Sequence, residues 1–455
     1  MSKPSVPKDV SKKVLVVDLI EDLVFRKERD GWTLTTPEAH VNVEKLKTGG
    51  VDLFVSAIPG TTGERAWQFL ERALKMNDKL VAGAGGTVKL VSSFKAAREA
   101  RTRGIIPMLV LLEGADVLVG RLDRLPDLRR RGLAIVGLVS GRNNAFAHAW
   151  STSDSRSGLT EKGRELLEAC RDNDIVVDLT HASQKTFWDV LVEQAGMVVI
   201  SHTAVRTLRD HGRNLDDLQI LALARYGGVM GLVFNPDFLK PGESATATLD
   251  DVVEHVMYVR AIGAVGAIAL GTDYGGVRPP AGLEDVSRLP VLKEALKRQG
   301  LGDSEIAAIM GGNAVRLFEE VERERGAVRL TRDEILRPVA LECDAVVGEY
   351  DGYPGLVCDK QLLDRGPTLP PASRQKIRLK DMSLSPVRLE LFGEPGTPWQ
   401  IEGQNLAGKI LFTRVVALDG NGTGELSLPS RRNLTRLFCS PTRSSHLREA
   451  VVWGH

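Results

Sequence analysis

Two histidines, each directly after a hydroxyl residue at the end of a short apolar run, carry the strongest chemical signal in this chain. The runs are 175–179, followed by Thr180-His181, and 197–200, followed by Ser201-His202. The intervening 184–194 has helical patterning, so the segment reads strand, helix, strand, with one imidazole at the carboxyl end of each strand. In a parallel α/β protein those ends gather on one face, and that face carries the chemistry. Either histidine alone reads as a hydrogen-bonded structural group; the matched placement of two favours a metal-ligand pair.

Other polar residues fall at equivalent places. The first apolar run, 14–19, leads into Asp18-Leu19-Ile20-Glu21-Asp22, and the third, 105–112, into Glu113-Gly114. The fourth, 134–139, is followed by Ser140-Gly141-Arg142-Asn143-Asn144, and the eighth, 267–270, by Gly271-Thr272-Asp273. Glu113, His181, His202 and Asp22 form a nitrogen and oxygen donor set suited to Zn²⁺, with Asp273 beside it. Zinc bound there lowers the pKa of its water to about 7 and supplies a hydroxide nucleophile. Glu21 follows Ile20 by strand alternation onto the opposite side, which makes it a poor substitute ligand.

These residues need a scaffold that brings strand ends together. Eight apolar runs recur, at 14–19, 51–57, 105–112, 134–139, 175–179, 197–200, 228–234 and 267–270. Between them lie amphipathic segments such as 62–77, 91–102, 158–173, 215–226 and 249–262. Continuous apolar strands alternating with amphipathic helices predict a parallel sheet covered by helices. Eight units over about 310 residues favour a closed (β/α)₈ TIM barrel over an open sheet. No GxGxxG follows the first strand, which argues against a dinucleotide fold. Two helices close the barrel portion, the second starting at Asp303-Ser304-Glu305, with a break at Gly311-Gly312-Asn313. Beyond Gly326 the texture changes to Pro- and Gly-rich turns between short alternating runs at 387–392, 399–402, 409–417, 424–428 and 450–452. The expected organisation is therefore a barrel over 1–325 and a β-rich, sandwich-like domain with its connector over 326–455.

Composition limits the partners. With 60 basic and 59 acidic side chains among 455 residues, the chain shows no sign of nucleic-acid binding, and no charge run suggests a membrane surface. No apolar run approaches the roughly 18 residues needed to span a bilayer, and the polar start MSKPSVPKDVSKK lacks the apolar core of a secretory signal. Cys170, Cys343, Cys358 and Cys439 have no CxxC spacing and read as reduced thiols of a cytoplasmic protein, with a Cys343–Cys358 disulfide as the alternative in an exported one. Oligomeric state is open, a homodimer being one arrangement.

Several stretches together resemble the zinc membrane (renal-type) dipeptidases, a branch of the amidohydrolase-like barrels. The resemblance spans roughly 14–322 and rests on DLTHAS (178–183), ISHTAVRTLRDHGRN (200–214), GGVMGLVFNPDFL (227–239), LGTDYGGV (270–277) and GGNAVRLF (311–318). It implies that His181 and His202 bind zinc, Glu113 bridges, Arg213 holds a substrate carboxylate, and Asp273 stands beside the metal. It implies cleavage of dipeptides with a free C-terminal carboxylate, a small peptide-like substrate. Asn144 and Phe234, at the ends of the fourth and seventh units, are placed as substrate-lining residues.

The departures qualify the activity. The family's D-x-H-x-D becomes Asp18-Leu19-Ile20-Glu21-Asp22, so an apolar side chain stands where a zinc ligand belongs. T-H-N-x-N becomes Ser140-Gly141-Arg142-Asn143-Asn144, which removes a carbonyl-polarising histidine. One zinc is therefore expected rather than two. Two other readings stay open: an inactive dipeptidase-like barrel serving in binding or assembly, and a biosynthetic tailoring enzyme acting on a peptide-like intermediate.

Overall fold

A computed structural model describes residues 14–151, 157–193, 198–242 and 247–323, together with the backbone of nine strands between 345 and 454. The chain separates into two compact units. One comprises Met1–Val205, Arg209–Leu215 and Tyr226–Arg329; the other comprises Arg206–Leu208, Asp216–Arg225 and Leu330–His455. The expected boundary at 325/326 and Cys343 lie outside the described residues.

The first unit holds nine strands: β1 (Val17–Glu21), β2 (Leu53–Pro59), β3 (Val88–Leu90), β4 (Ile106–Glu113), β5 (Leu133–Gly137), β6 (Val176–Asp178), β7 (Val198–Thr203), β8 (Val229–Leu232) and β9 (Ile268–Leu270). Their order is β2-β1-β9-β8-β7-β6-β5-β4-β3, every pairing is parallel, and β2 also pairs with β4. That last pairing closes eight strands into a (β/α)₈ barrel. The sequence reading did not anticipate β3, a three-residue strand on the edge of β4 whose Lys89 is exposed. It is too short and too polar to stand out as an apolar run.

The strands are continuous apolar runs because both faces are covered. In β4, Ile106 through Leu112 are all buried. The final helix, Asn313–Arg323, packs Ala314, Leu317, Phe318 and Val321 into a cluster with Val17, Leu53 and Leu109, and Phe318 stacks on Phe94 with ring centroids 6.0 Å apart. The expected break at Gly311-Gly312 is a π-helical turn over Ala308–Gly312, after which Asn313 Nδ2 donates to Val265 O (2.9 Å) and Ile268 O (2.8 Å). Local signals place the helix starts as expected: Ser93 accepts from Ala96 N, and Asp251 accepts from Thr248 N at 2.8 Å.

Two register irregularities fall where the chemistry-bearing residues sit. On β1, Asp18 pairs with Phe54 but Glu21 with Ser56, so one residue is extra; on β7 the register shifts between Ile200 and Thr203. A bulge re-aims the side chains that follow it. Strict alternation therefore fails for Glu21. Its carboxyl is fully buried among Asp18, Asp22 and Asp273 rather than turned away from them.

The second unit contains β10 (Ala345–Tyr350), β11 (Tyr353–Cys358), β12 (Gln375–Ile377), β13 (Val387–Gly393), β14 (Pro398–Gln404), β15 (Ile410–Ala417), β16 (Thr423–Leu428), β17 (Arg436–Pro441) and β18 (Leu447–Gly454). They form two antiparallel sheets, ordered β10-β11-β18-β13-β16 and β12-β17-β14-β15, consistent with a β-rich sandwich-like domain.

Candidate metal centre

Glu113 ends β4, His181 follows β6, and His202 lies in β7, so barrel closure brings three distant residues to one mouth. One ligand atom from each lies within 4.8 Å of the others. His181 Nε2 is 2.6 Å from Glu113 Oε1, and His202 Nε2 is 3.6 Å from the same oxygen. The imidazoles meet edge to face, with centroids 5.4 Å apart and planes at 77°. His181 (φ +68°) and Asp273 (φ +61°) are two of the three non-glycine residues with left-handed backbone among those described. Such conformations are uncommon for residues other than glycine and concentrate at functional sites.

The electrostatics separate one ionised carboxylate from several neutral carboxyls. Burial disfavours charge on Glu113, but the His181 hydrogen bond, with the Arg213 charge beside it, overcomes it and holds Glu113 down at about 2. Asp22 goes the other way: burial, then the Glu113 charge, raise it to about 8, with Arg26 opposing. Burial raises Asp273 well above the carboxylate range, reinforced by Asp22 and Glu113 and opposed by Arg213. Burial and Arg213 lower His202 well below its ordinary value, so its imidazole is neutral.

Asp22 occupies the N-cap position of the helix Leu23–Asp30, yet its side chain makes no cap bond. Instead Asp22 Oδ2 and Asp273 Oδ1 converge over Gly276, where a Cβ would overlap both. Arg213 is half-buried; it donates from Nη2 to His202 O (3.4 Å), its buried Nε has no partner, and its guanidinium lies 5.2 Å from the Phe238 ring centre. It thus presents an unsatisfied donor near Glu113 and Asp273, as a carboxylate clamp requires.

The two residues expected to line the substrate, Asn144 and Phe234, are both engaged within the protein. Asn144 Nδ2 donates to Asp116 Oδ2 (3.1 Å) and Leu138 O (2.7 Å), while Oδ1 accepts from Phe146 N and Ala147 N. The amide is used up in pinning its own loop. Phe234 is 0% exposed and meets Tyr274 edge to face, beside the turn that follows β9. His148, seven residues after Gly141, has its Nδ1 2.9 Å from Gly158 O. His255 is fully buried: Nδ1 accepts from Val205 N (3.0 Å) and Nε2 donates to Leu239 O (2.9 Å).

Sequence reasoning passed over Asp178 and Ser201. Asp178 is fully buried and accepts from Thr180 and Ser201, and Ser201 Oγ lies 2.9 Å from His202 Nδ1. A signal existed: an acidic residue inside the apolar run IVVDL must find buried donors. His40 was also missed; its Nδ1 accepts from Gly275 N at 3.2 Å, beside the Asp273–Gly276 turn.

The donor set fits a divalent cation. A carboxylate held ionised and a neutral imidazole converge with a second imidazole, and both oxygens of the nearby buried Glu21 lack a hydrogen-bond partner.

Residues 6–331 match the family described as membrane dipeptidase (peptidase family M19). The chain belongs to that family. Membership implies a metal. An uncharacterized dipeptidase of Schizosaccharomyces pombe is 29% identical over 258 residues, which are 56% of this chain and 61% of that protein. A second dipeptidase of the same organism is 30% identical over 48% of this chain and 54% of its own length. The chain thus matches less than two thirds of these curated relatives. Among solved structures, the dipeptidase AC metallopeptidase superposes with a TM-score of 0.63 at 24% identity, covering 68% of this chain and 98% of its own. A metallopeptidase from Rhodobacter sphaeroides, liganded with a phosphinate mimic of the dipeptide L-Ala-D-Ala, gives 0.60 at 24% identity, covering 68% and 99%. At that identity the likeness establishes the barrel fold. Among the described residues, no helix is long and apolar enough to cross a membrane.

Proposed function

We propose that this protein is a zinc-dependent hydrolase of dipeptides or related small peptide-like amides, working with one zinc ion. The observation that carries the reading is the convergence of Glu113, His181 and His202 within 4.8 Å at the barrel mouth of a membrane dipeptidase family member. These three residues would hold the ion, with Asp22 at the periphery. A zinc ion bound there supplies a water with a pKa near 7. Asp273 faces the same space and exchanges the proton of the attacking water with the leaving amine. Arg213, half-buried and with an unsatisfied Nε donor, orients the substrate's C-terminal carboxylate. The phosphinate dipeptide mimic bound by the Rhodobacter sphaeroides relative is consistent with such a substrate.

Ile20 is buried and apolar, and Gly141 carries no side chain, so a second zinc ligand and a carbonyl-polarising imidazole are both missing. Each such electrophilic contribution is worth about 10²–10³ in rate, which favours slow turnover or a specialised substrate. Metal analysis of the purified protein with a dipeptide hydrolysis screen tests the reading. Bound zinc with hydrolysis supports it, bound zinc without turnover favours the binding-protein alternative, and absence of both sinks it.

Two variants sharpen the test. Gly276→Ala should drive a methyl between the Asp22 and Asp273 carboxyls and lower kcat/KM by roughly 10-fold, with the melting temperature little changed. Undiminished turnover would remove those carboxyls from the reaction. The pair Ile20→His and Gly141→His should raise hydrolysis. A Cβ at Gly141 would stand 3.9 Å from His181 Nδ1, so the new imidazole enters the site, although φ +74° there costs about 1 kcal/mol. No gain in the folded double variant would indicate a pocket adapted to other chemistry.

A further inference from the structure

His202 and His181 share one carboxylate but are held in different ways. Behind His202 stands a buried relay. Asp178, at the end of β6, accepts four hydrogen bonds: Oδ1 from Thr180 N (2.8 Å), Thr180 Oγ1 (2.6 Å) and Ser201 N (3.0 Å), and Oδ2 from Ser201 Oγ (2.6 Å). Ser201 Oγ also lies 2.9 Å from His202 Nδ1 and 3.1 Å from Thr180 Oγ1. Asp178 and Ser201 are both 0% exposed, so no water substitutes for any of these bonds.

Proton counting fixes the direction. A serine hydroxyl has one proton to give. The short bond to a carboxylate oxygen is the stronger claim on it, and the Thr180 proton is committed in the same way to Oδ1. Ser201 Oγ can then only accept from the imidazole, so His202 carries its proton on Nδ1. Nε2 is left as a bare lone pair, pointing toward Glu113 Oε1 at 3.6 Å. His181 has no such support. Its Nε2 is 2.6 Å from Glu113, but its Nδ1 is buried without a hydrogen-bond partner.

We propose that Asp178 and Ser201 are positioning residues that lock His202 in its Nδ1-protonated tautomer, making it the rigid ligand of the metal position, with His181 as the adjustable one. The idea rests on the reading of Glu113, His181 and His202 as a metal centre, but its tautomer component does not. The register shift on β7 makes the arrangement available, because it lets the adjacent Ser201 and His202 both turn into the interior.

The test uses the full chain. In the chelator-treated wild type, nitrogen-15 NMR of the imidazoles should show His202 protonated at Nδ1. In Ser201→Ala it should show loss of that fixed tautomer. Asp178→Asn places an amide NH₂ or a weaker acceptor behind Ser201 and should shift His202 toward the Nε2-protonated form. Zinc titration against a chromophoric chelator should give a 10–100-fold weaker affinity for either variant, while the metal-free melting temperature of Ser201→Ala stays near that of the wild type. An Nε2-protonated His202 in the wild type overturns the proposal even if the variants do not fold. So does wild-type zinc affinity in a folded Ser201→Ala. Failure of the wild type to bind zinc, with the tautomer as stated, overturns the metal reading and the ligand half of the proposal while leaving the relay intact.

Discussion

Replacing Glu113 with glutamine should remove zinc binding and hydrolysis together, with loss of turnover by about 10³-fold or more. Glu113 is the single carboxylate of the triad and is held ionised, at about 2, against its own burial. Glutamine preserves the shape and removes the charge. Its NH₂, if turned toward the imidazoles, would also donate to the Nε2 lone pairs that a metal needs, since Oε1 lies 2.6 and 3.6 Å from the two Nε2 atoms. Zinc stoichiometry by elemental analysis and kcat/KM on a dipeptide check both halves. A variant that keeps one zinc and turns over within about tenfold of the parent would place the catalytic metal elsewhere.

The second large effect is on stability, and its pH dependence changes with metal. In the metal-free protein Asp22 is raised from 3.8 to about 8, and Asp18, Glu21 and Asp273 move in the same direction, each with burial as the leading cause. A carboxyl whose folded pKa is raised binds its proton more tightly folded than unfolded. Its stabilising contribution is complete below the unfolded value near 4 and is lost as pH rises through the folded value. Glu113 works oppositely: depressed to about 2, it stabilises above its unfolded value and stops doing so as pH falls from about 4.5 toward 2. Metal-free protein should therefore be most stable near pH 4–5. At about 1.4 kcal/mol per unit, the Asp22 shift alone represents on the order of 5 kcal/mol between pH 4 and 8, or roughly 10 °C of melting temperature. Zinc displaces these protons and compensates the carboxylates, so saturation with metal should flatten the curve and give the largest stabilisation at pH 8. Calorimetric melts from pH 4 to 9, with chelator and with zinc, decide. A metal-free protein more stable at pH 8 than at pH 5 would contradict the buried, neutral state of this acid cluster.

These expectations depend on two kinds of information. Apolar runs separated by amphipathic segments were enough for the barrel, because a strand covered on both faces must be apolar throughout and a crossover helix must be apolar on one side. Strand-end placement was enough for Glu113, His181 and His202, since parallel strands deliver their carboxyl ends to one mouth whatever the details of packing. The positions of Ile20 and Gly141 within otherwise familiar motifs likewise needed no coordinates to suggest the proposal that half of the site is altered.

What the sequence could not disclose turns on register and on hydrogen-bond valence. Strict alternation sends Glu21 away from the site, but one extra residue in β1 buries it among Asp18, Asp22 and Asp273. Asn144 and Phe234 stand at strand ends, and only the folded chain shows that the first bonds within its own loop and the second packs against Tyr274. Asp178 and Ser201 look like ordinary strand residues until the β7 irregularity turns Ser201 between a carboxylate and an imidazole. Periodicity reports which residues are inside. Only the folded chain decides which inside groups meet, because a bulge of one residue reverses every facing after it, and each buried donor or acceptor can serve only the partners within about 3 Å.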